Sequence, residues 1–379
     1  MGAVLKTLFW GSLGALAWTH VGYPAAAGLV ARVRPRPVAK DDSFEPTVSV
    51  VIAAHDEEDV IEARLENLLT LDYPEDRFDI VVASDASTDG TDELVEAIAA
   101  REPRVRLLAC ERGGKVSAQH RAVRETTGEV VAFSDANSTW APDVLRLLTA
   151  SLADLQVGYV CGRLELRDAT GANKEGLYWR YELWLRQQES LVHSITGGNG
   201  AVYAVRRDDY VEDDPRFGHD LGFPYLMVQH GKRAVYEPAA VAVESASSEP
   251  EDEYERKVRM VAQSWGHVLT GRMLRRTSPI YMVELVSHRL LRYGSGILHI
   301  ALFASNAALV PRGGAVYRVA FAGQLAALGL VYAGKRRAKV PGAGIAYYYF
   351  LVTRATFDGL LRYVRRGTPV VWAKADGTR

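Results

Sequence analysis

Asp135 and Asn137 stand one residue apart in the stretch FSDAN, directly after the apolar run EVVA. Two oxygen ligands at that spacing, on the lip of a buried strand, suit a hard divalent cation. Three more polar clusters follow apolar runs earlier in the chain. His55, Asp56, Glu57 and Glu58 come after TVSVVIAA. SDASTDGT, with Asp85, Asp89 and Gly90, completes the run DIVVAS, and RGGK, with Gly113, Gly114 and Lys115, comes after VRLLAC. Singly, each has an ordinary reading. Asp56 and Glu57 could cap a helix, STDGT could be a capped turn, Lys115 could be solvated, and Asp135 could cap the helix entered at Pro142. Together, at four consecutive strand ends, they describe a nucleotide-diphosphate site. Acids at the first two ends accept hydrogen bonds from a base and ribose. Lys115 and the backbone N–H groups near the glycines meet phosphate oxygens. Asp135 and Asn137 hold the cation that bridges the diphosphate.

The elements that must position these residues alternate along the chain. TVSVVIAA from Thr47 is apolar throughout, as a parallel strand covered on both faces requires. Helices are expected over 57–71, 88–100 and after Gly114, with strands DIVVAS from Asp79, VRLLAC from Val105 and EVVAFSD from Glu129. Strand–helix alternation predicts an α/β, Rossmann-like, mostly parallel sheet, which binds ligands outside the carboxyl ends of its strands. The chain has 379 residues, 48% hydrophobic and 24% charged, so it can bury a large core. Its net charge of -1 gives no signal for nucleic acid. Cys110 and Cys161 lie far apart in strand-like runs and read as buried thiols in a reducing compartment, not metal ligands.

The motifs VSVVIAAHDEE, SDASTDGT, GGKVSAQHRA, FSDANS, GGNGAVYAVRR and HDLGFPYLMVQHGKRAVYEP, in this order, resemble those of family 2 glycosyltransferases. These are inverting, nucleotide-sugar-dependent enzymes of GT-A fold, and the resemblance runs from about Pro46 to Trp265. The flanking segments resemble the branch with cellulose, hyaluronan and poly-N-acetylglucosamine synthases. The resemblance implies that Ala53, Glu57, Asp85, Lys115 and Asp135 contact the donor, with Glu57 and Asp85 on its uridine part. It implies Mn²⁺ or Mg²⁺ at Asp135 and Asn137, the latter replacing the usual second Asp. Asp220 matches the catalytic base, with His219 in place of the usual Glu. Gly198, Asn199 and Gly200 match a loop on the acceptor side, whose bland alternative is a tight turn into AVYAVRR. Glu182 in the aromatic helix YWRYELWLRQQES, and Gln263 with Trp265, are further acceptor candidates. Processive relatives carry Gln-x-x-Arg-Trp where this chain has Gln263, Ser264 and Trp265, which puts processive elongation in doubt.

The apolar ends bear on location. Leu8–Val30 is about the roughly 20 residues needed to cross a bilayer, and Arg32, Arg34, Arg36 and Lys40 would hold its end in the cytoplasm. The rival reading is a cleaved signal peptide with Ala25 and Ala27 near its cleavage site. Runs beginning at Gly294 and Val319 read as a helical hairpin, KRRAK from Lys335 as a cytoplasmic return, and the charged stretch from Ala346 as an interfacial helix. The expected organisation is an anchor over 1–40, a GT-A domain over 41–248, amphipathic membrane-interface helices over 249–289, and a hairpin, interfacial helix and cytoplasmic tail over 290–379. The expected protein is a multi-pass enzyme of the inner membrane with three crossings, four being the alternative, and its catalytic domain is cytoplasmic. Its partners are a nucleotide-sugar donor, a polysaccharide or polyprenyl-linked acceptor, and the bilayer. A nucleotidyltransferase and a non-enzymatic glycosyltransferase-like scaffold are the competing classes.

Overall fold

The computed structural model describes residues 2–167, 176–245, 250–275, 277–311 and 313–367. They form two units: Met1–Ala26 with Pro250–Gly266 and Val283–Gly367, and Ala27–Glu249 with His267–Met282.

The second unit is built on an eight-stranded sheet of β1 (Val48–Ala54), β2 (Phe78–Asp85), β3 (Val105–Cys110), β4 (Val130–Ser134), β5 (Thr139–Trp140), β6 (Val157–Arg167), β7 (Tyr203–Arg206) and β8 (Arg233–Ser245). Its order is β3-β2-β1-β4-β7-β6-β8-β5. β1 is buried along its whole length because both faces are covered. Val48, Val50 and Ile52 point to the face covered by the helices Ile61–Leu69, Thr91–Ala99 and Val144–Leu152. Val51 and Ala53 point to the face covered by the helices Lys115–Glu125 and His219–Gln229. The expected parallel sheet is present across β3, β2, β1 and β4. Beyond β4 it becomes mixed. β7 returns antiparallel to β4 and β6, and β5 is antiparallel to β8, while β6 and β8 run parallel. Cys110 and Cys161 are free thiols, Cys161 buried and Cys110 partly so.

The first unit is helical. Gly2–Ala17 packs Phe9 and Leu16 against Leu302, Leu309 and Tyr317 of the helices Ser295–Leu309 and Ala315–Lys335. A π turn, Trp18–Gly22, interrupts the N-terminal helix before Tyr23–Val33. A second π turn, Leu285–Leu290, meets it: the Thr19 hydroxyl donates to the Ser287 carbonyl at 2.6 Å and the Trp18 indole to the Ser287 hydroxyl at 2.8 Å. Among the described helices, Ala315–Lys335 is the one long and apolar enough to cross a membrane; Ser295–Leu309 is apolar but has 15 residues. The three crossings expected from hydropathy are therefore not matched by three long apolar helices. The apolar window over 8–30 is divided by the π turn, and the hairpin's first arm is short.

In the sheet unit, the segment after Gly266 packs His267 fully out of solvent against Phe217, with ring centroids 4.7 Å apart, and places its Nδ1 2.9 Å from the Tyr225 hydroxyl. Burial, reinforced by the nearby Arg272 guanidinium, pulls His267 down to about 3. An imidazole in the unfolded chain binds its proton near 6.5. Between those values the unfolded state holds more protons, so the stability contributed by neutral His267 is complete above pH 6.5 and is lost as pH falls toward 3. Acidification from pH 7 to 5 should cost about 1–2 kcal/mol through this group. Denaturant unfolding at both pH values should show a smaller loss for His267→Gln than for the wild type; equal losses would remove His267 as the cause.

Candidate active site

The parallel half of the sheet brings the carboxyl ends of β1, β2, β3 and β4 side by side, so the loops after them share one edge. The first two loops are laced together. The amides of Asp56, Glu57 and Glu58 donate to Ser87 Oγ (3.2 Å), Thr91 Oγ1 (2.8 Å) and Asp89 Oδ2 (3.1 Å). In return the amides of Thr88 and Gly90 donate to Asp56 Oδ1 (2.7 Å) and Glu58 Oε2 (2.9 Å). The Thr88 amide in particular holds the Asp56 carboxyl below its usual range. Asp56 (φ 55°) and Ala86 (φ 53°) adopt left-handed backbone, costly for residues with a Cβ, and the lacing holds both in place. The acids after β1 and β2 thus build the rim itself, which is more than separate caps.

Asp85 closes the next pair of loops. Its carboxylate is 1% exposed and accepts the amides of Gly113 (2.7 Å) and Gly114 (3.0 Å) and the Arg112 guanidinium (2.5 Å). A buried carboxylate needs such partners. Gly114, at φ 85°, then turns the chain into the Lys115–Glu125 helix, where a side chain would be strained. Lys115 is the first residue of that helix, and its ammonium forms an ion pair with Asp135 Oδ1, the two side chains being 29% and 27% exposed. Asp135 itself is supported from below. Arg64, 2% exposed, donates to Ser134 Oγ at 2.7 Å and to Asn67 Oδ1, and its guanidinium stacks 4.8 Å from the Trp140 ring. Ser134 Oγ in turn donates to the Asp135 carbonyl at 2.9 Å and lies 3.0 Å from Ser138 Oγ. Burial pulls Arg64 down to about 9, against the pull of the Asp135 and Glu244 carboxylates, so it stays cationic at neutral pH.

The loop 197–200 comes up against this pair. A Cβ at Gly200 would sit 3.0 Å from Lys115 Nζ and 3.3 Å from Asp135 Oδ2, and one at Gly198 would overlap the Tyr159 hydroxyl. Asn199 faces inward: Nδ2 donates to the Gly162 carbonyl at 2.8 Å, and Oδ1 accepts the amides of Ala201 (3.1 Å) and Val202 (2.9 Å). Arg186, buried under the loop, donates to the Gly198 carbonyl at 3.2 Å.

The structure therefore brings together Lys115, Asp135 and Gly200, with Asp85 and Glu57 on the adjoining rim. Asn137 is half-buried in the turn that follows Asp135. The Ala53 side chain is packed into the core, and that of Asn199 is committed to holding its own loop. Glu182 lies half-buried on the helix Leu177–Val192. Gln263 and Trp265 belong to the helical unit, where the Trp265 indole donates to the Thr356 carbonyl at 3.1 Å. The backbone of His219 and Asp220 opens the His219–Gln229 helix, but their side chains lie outside the described residues. Sequence reasoning missed Arg64, Arg112 and Arg186. Arg64 had a signal: it falls on the apolar stripe of its helix with Ile61, Leu65 and Leu68.

Among the described residues no three His, Cys, Asp or Glu side chains cluster as a self-sufficient metal site. Asp135 and Asn137 offer two oxygen donors, and the carboxylate already receives a cation, the Lys115 ammonium. That set fits a hard divalent ion that takes its other ligands from a diphosphate and water.

Removing the Arg64 guanidinium would take a donor from the buried Ser134 hydroxyl, at about 1–3 kcal/mol, while Asn67 Oδ1 keeps the Trp140 amide at 2.8 Å. Arg64→Met should lower the unfolding free energy by about 1–3 kcal/mol in equilibrium denaturation, with Arg64→Lys recovering part of it. An unchanged midpoint for Arg64→Met would mean that Asp135 has another support.

Residues 49–214 match the family described as Glycosyl transferase family 2. A β-monoglucosyldiacylglycerol synthase of Nostoc sp. is 30% identical over 214 residues, 54% of this chain and 45% of the relative. An N-acetylglucosaminyltransferase of Rhizobium meliloti is 29% identical over 220 residues, 52% and 50% of the two chains. A poly-β-1,6-N-acetyl-D-glucosamine synthase of Staphylococcus aureus is 21% identical over 207 residues, 51% and 48%. The chain spans about half the length of the curated relatives it matches. Among solved structures, the mannosyltransferase PcManGT from Pyrobaculum calidifontis, in complex with GDP-Man and Mn²⁺, aligns with a TM-score of 0.74 at 23% identity. That alignment covers 96% of this chain and 98% of the other, and it is a likeness of fold. With its α/β GT-A-like sheet and a match over residues 49–214 that takes in the four loop-bearing strands, this chain is similar to the glycosyltransferases of family 2.

Proposed function

We propose that this protein is a membrane-bound, inverting glycosyltransferase that moves a sugar from a nucleotide-sugar donor to a hydroxyl of a lipid-linked or growing saccharide, forming a β-linkage. The observation that carries the reading is the meeting of Lys115, Asp135 and Gly200 at the edge where β1–β4 end. The names of the relatives support a sugar transferred to lipid or saccharide, and the mannosyltransferase of like fold binds a nucleotide sugar with Mn²⁺. We read the donor as UDP-linked first, with GDP-linked sugars as the other arm of the test.

Glu57 and the laced rim would receive the nucleoside. The Asp85 carboxylate holds the glycine amides and Lys115 toward the phosphates, where a fixed ammonium favours the charge that develops on the leaving group. A divalent cation at Asp135 and Asn137, Mn²⁺ or Mg²⁺, would supply Lewis-acid stabilisation of the departing diphosphate. Asp220, at the start of its helix, would take the proton of the acceptor hydroxyl as that oxygen attacks the anomeric carbon and the bond to the diphosphate breaks. One displacement of this kind inverts the carbon and needs no covalent enzyme intermediate. Gly200 leaves that side of the pair free of a side chain, while Gly198 lets the loop lie against the Tyr159 hydroxyl. The exposed apolar face of Ala315–Lys335, including Val316, Val319, Leu325 and Leu328, would lie in the bilayer, with Lys335, Arg336 and Arg337 at its cytoplasmic end. With Ser295–Leu309 as the other arm of a membrane hairpin, the catalytic domain would lie on the same, cytoplasmic side as Lys335.

Detergent-purified protein offered a panel of UDP- and GDP-sugars should release nucleoside diphosphate with one of them, and chelator should abolish the release. Asp220→Asn keeps the shape of the residue and removes its basicity. It should lower transfer by at least about 10²-fold while donor affinity, read by calorimetry, stays within a few-fold. Near wild-type transfer by Asp220→Asn would place the base elsewhere. Lost donor binding would make Asp220 structural.

A further inference from the structure

Lys115 and Asp135 are each fixed from behind. Lys115 opens a helix whose preceding glycine amides are held by the buried Asp85 carboxylate. Asp135 stands on the hydrogen-bonded set of Ser134, Ser138 and Arg64. Gly200 closes the third side, its α-carbon close enough that a Cβ would meet both charged groups. The ion pair is thus held by three separate segments of the fold.

The carboxylate that Lys115 engages is also the one that a divalent cation needs. We infer that Lys115 acts as a resident counter-cation, which makes the site a poor binder of divalent metal alone and a good one once a nucleoside diphosphate is present. This inference rests on the functional reading above and assigns Lys115 a positioning role toward metal and donor together. Two cations sharing one carboxylate repel each other, so a metal ion entering alone must displace the ammonium or bind beside it. A diphosphate changes the balance. Its oxygens accept the Lys115 ammonium, release Asp135 to the metal and complete the metal's ligand set. Linkage makes the effect reciprocal: whatever factor the diphosphate adds to metal affinity, the metal adds to diphosphate affinity. Coupling of this type is commonly about 5–150-fold. The consequence for the cycle is that metal and nucleotide enter and leave as a unit, so neither alone holds the site for long.

The test is titration of the full chain in detergent with Mn²⁺, following free Mn²⁺ by electron paramagnetic resonance, alone and with UDP or GDP. The wild type should bind Mn²⁺ alone weakly and at least about 10-fold more tightly with the diphosphate. Lys115→Gln removes the charge and should bind Mn²⁺ alone at least about 10-fold more tightly than the wild type, while binding the diphosphate alone more weakly. Lys115→Arg keeps the charge and should stay weak for Mn²⁺ alone, which also covers the case in which Lys115→Gln fails to fold. Asp135→Asn should abolish tight Mn²⁺ binding in every background. Equal affinity of wild type and Lys115→Gln for Mn²⁺ alone would overturn the inference, as would tight binding by Lys115→Arg. If the wild type forms no complex of Mn²⁺ with either diphosphate, the functional reading itself falls. If that complex forms and Lys115→Gln leaves Mn²⁺ affinity unchanged, only the role given to Lys115 falls.

Discussion

The Asp85 carboxylate is the constraint on which the site turns. It lies out of solvent at the end of β2, where an ionised group persists only if its oxygens are satisfied. The groups that satisfy it are the amides and guanidinium of the very loop that presents Lys115. Because β2 pairs in parallel with both β1 and β3, this anchor is tied to the strand before it and the strand after it. Lys115 then reaches Asp135 at the end of β4, across the width of the parallel half. A charge at the end of β2 is thereby linked, through Lys115, to a charge two strands away in the sheet order.

The mixed half of the sheet has a different task. β7 returns antiparallel to β4, so the loop before it arrives at the lip where Asp135 stands. Asn199 pins that loop to β6 through the Gly162 carbonyl, and Arg186 holds the Gly198 carbonyl. Within the helical unit, order comes instead from paired π turns, with Thr19 and Trp18 bonded to Ser287. Such turns widen a helix and free backbone groups for partners outside it.

The parallel half was legible in the sequence because strands covered on both faces must be apolar throughout, and the polar residues that follow them must then lie on one edge. Asp135 stands just past such a run, whereas Lys115 follows the edge strand β3, which is only partly buried. The mixed half was less legible. AVYAVRR reads as a strand, but nothing local in it specifies an antiparallel return beside β4. The inward turn of Asn199 could not be read either, since a polar residue between glycines looks the same whether it faces a ligand or its own fold. Arg64 was legible in principle, as a cation on an apolar helical stripe, but only its contact with Ser134 gives it a purpose. Of the expected crossings, Ala315–Lys335 is the described helix long and apolar enough to cross a membrane, while the apolar stretch over 8–30 runs through the π turn Trp18–Gly22.

The lacing of residues 55–58 with residues 87–91 bears on how this site can vary over time. Five amides cross between the two loops onto side-chain oxygens of the other, so the two segments are fastened residue to residue without being strands. Side chains facing outward from such a rim can change with little effect on its shape. A single inserted or deleted residue in either segment would shift every later partner by one and unfasten the rim. Diversification of the nucleoside end should therefore proceed by substitution at constant loop length, while insertions accumulate in loops that carry no such fastening.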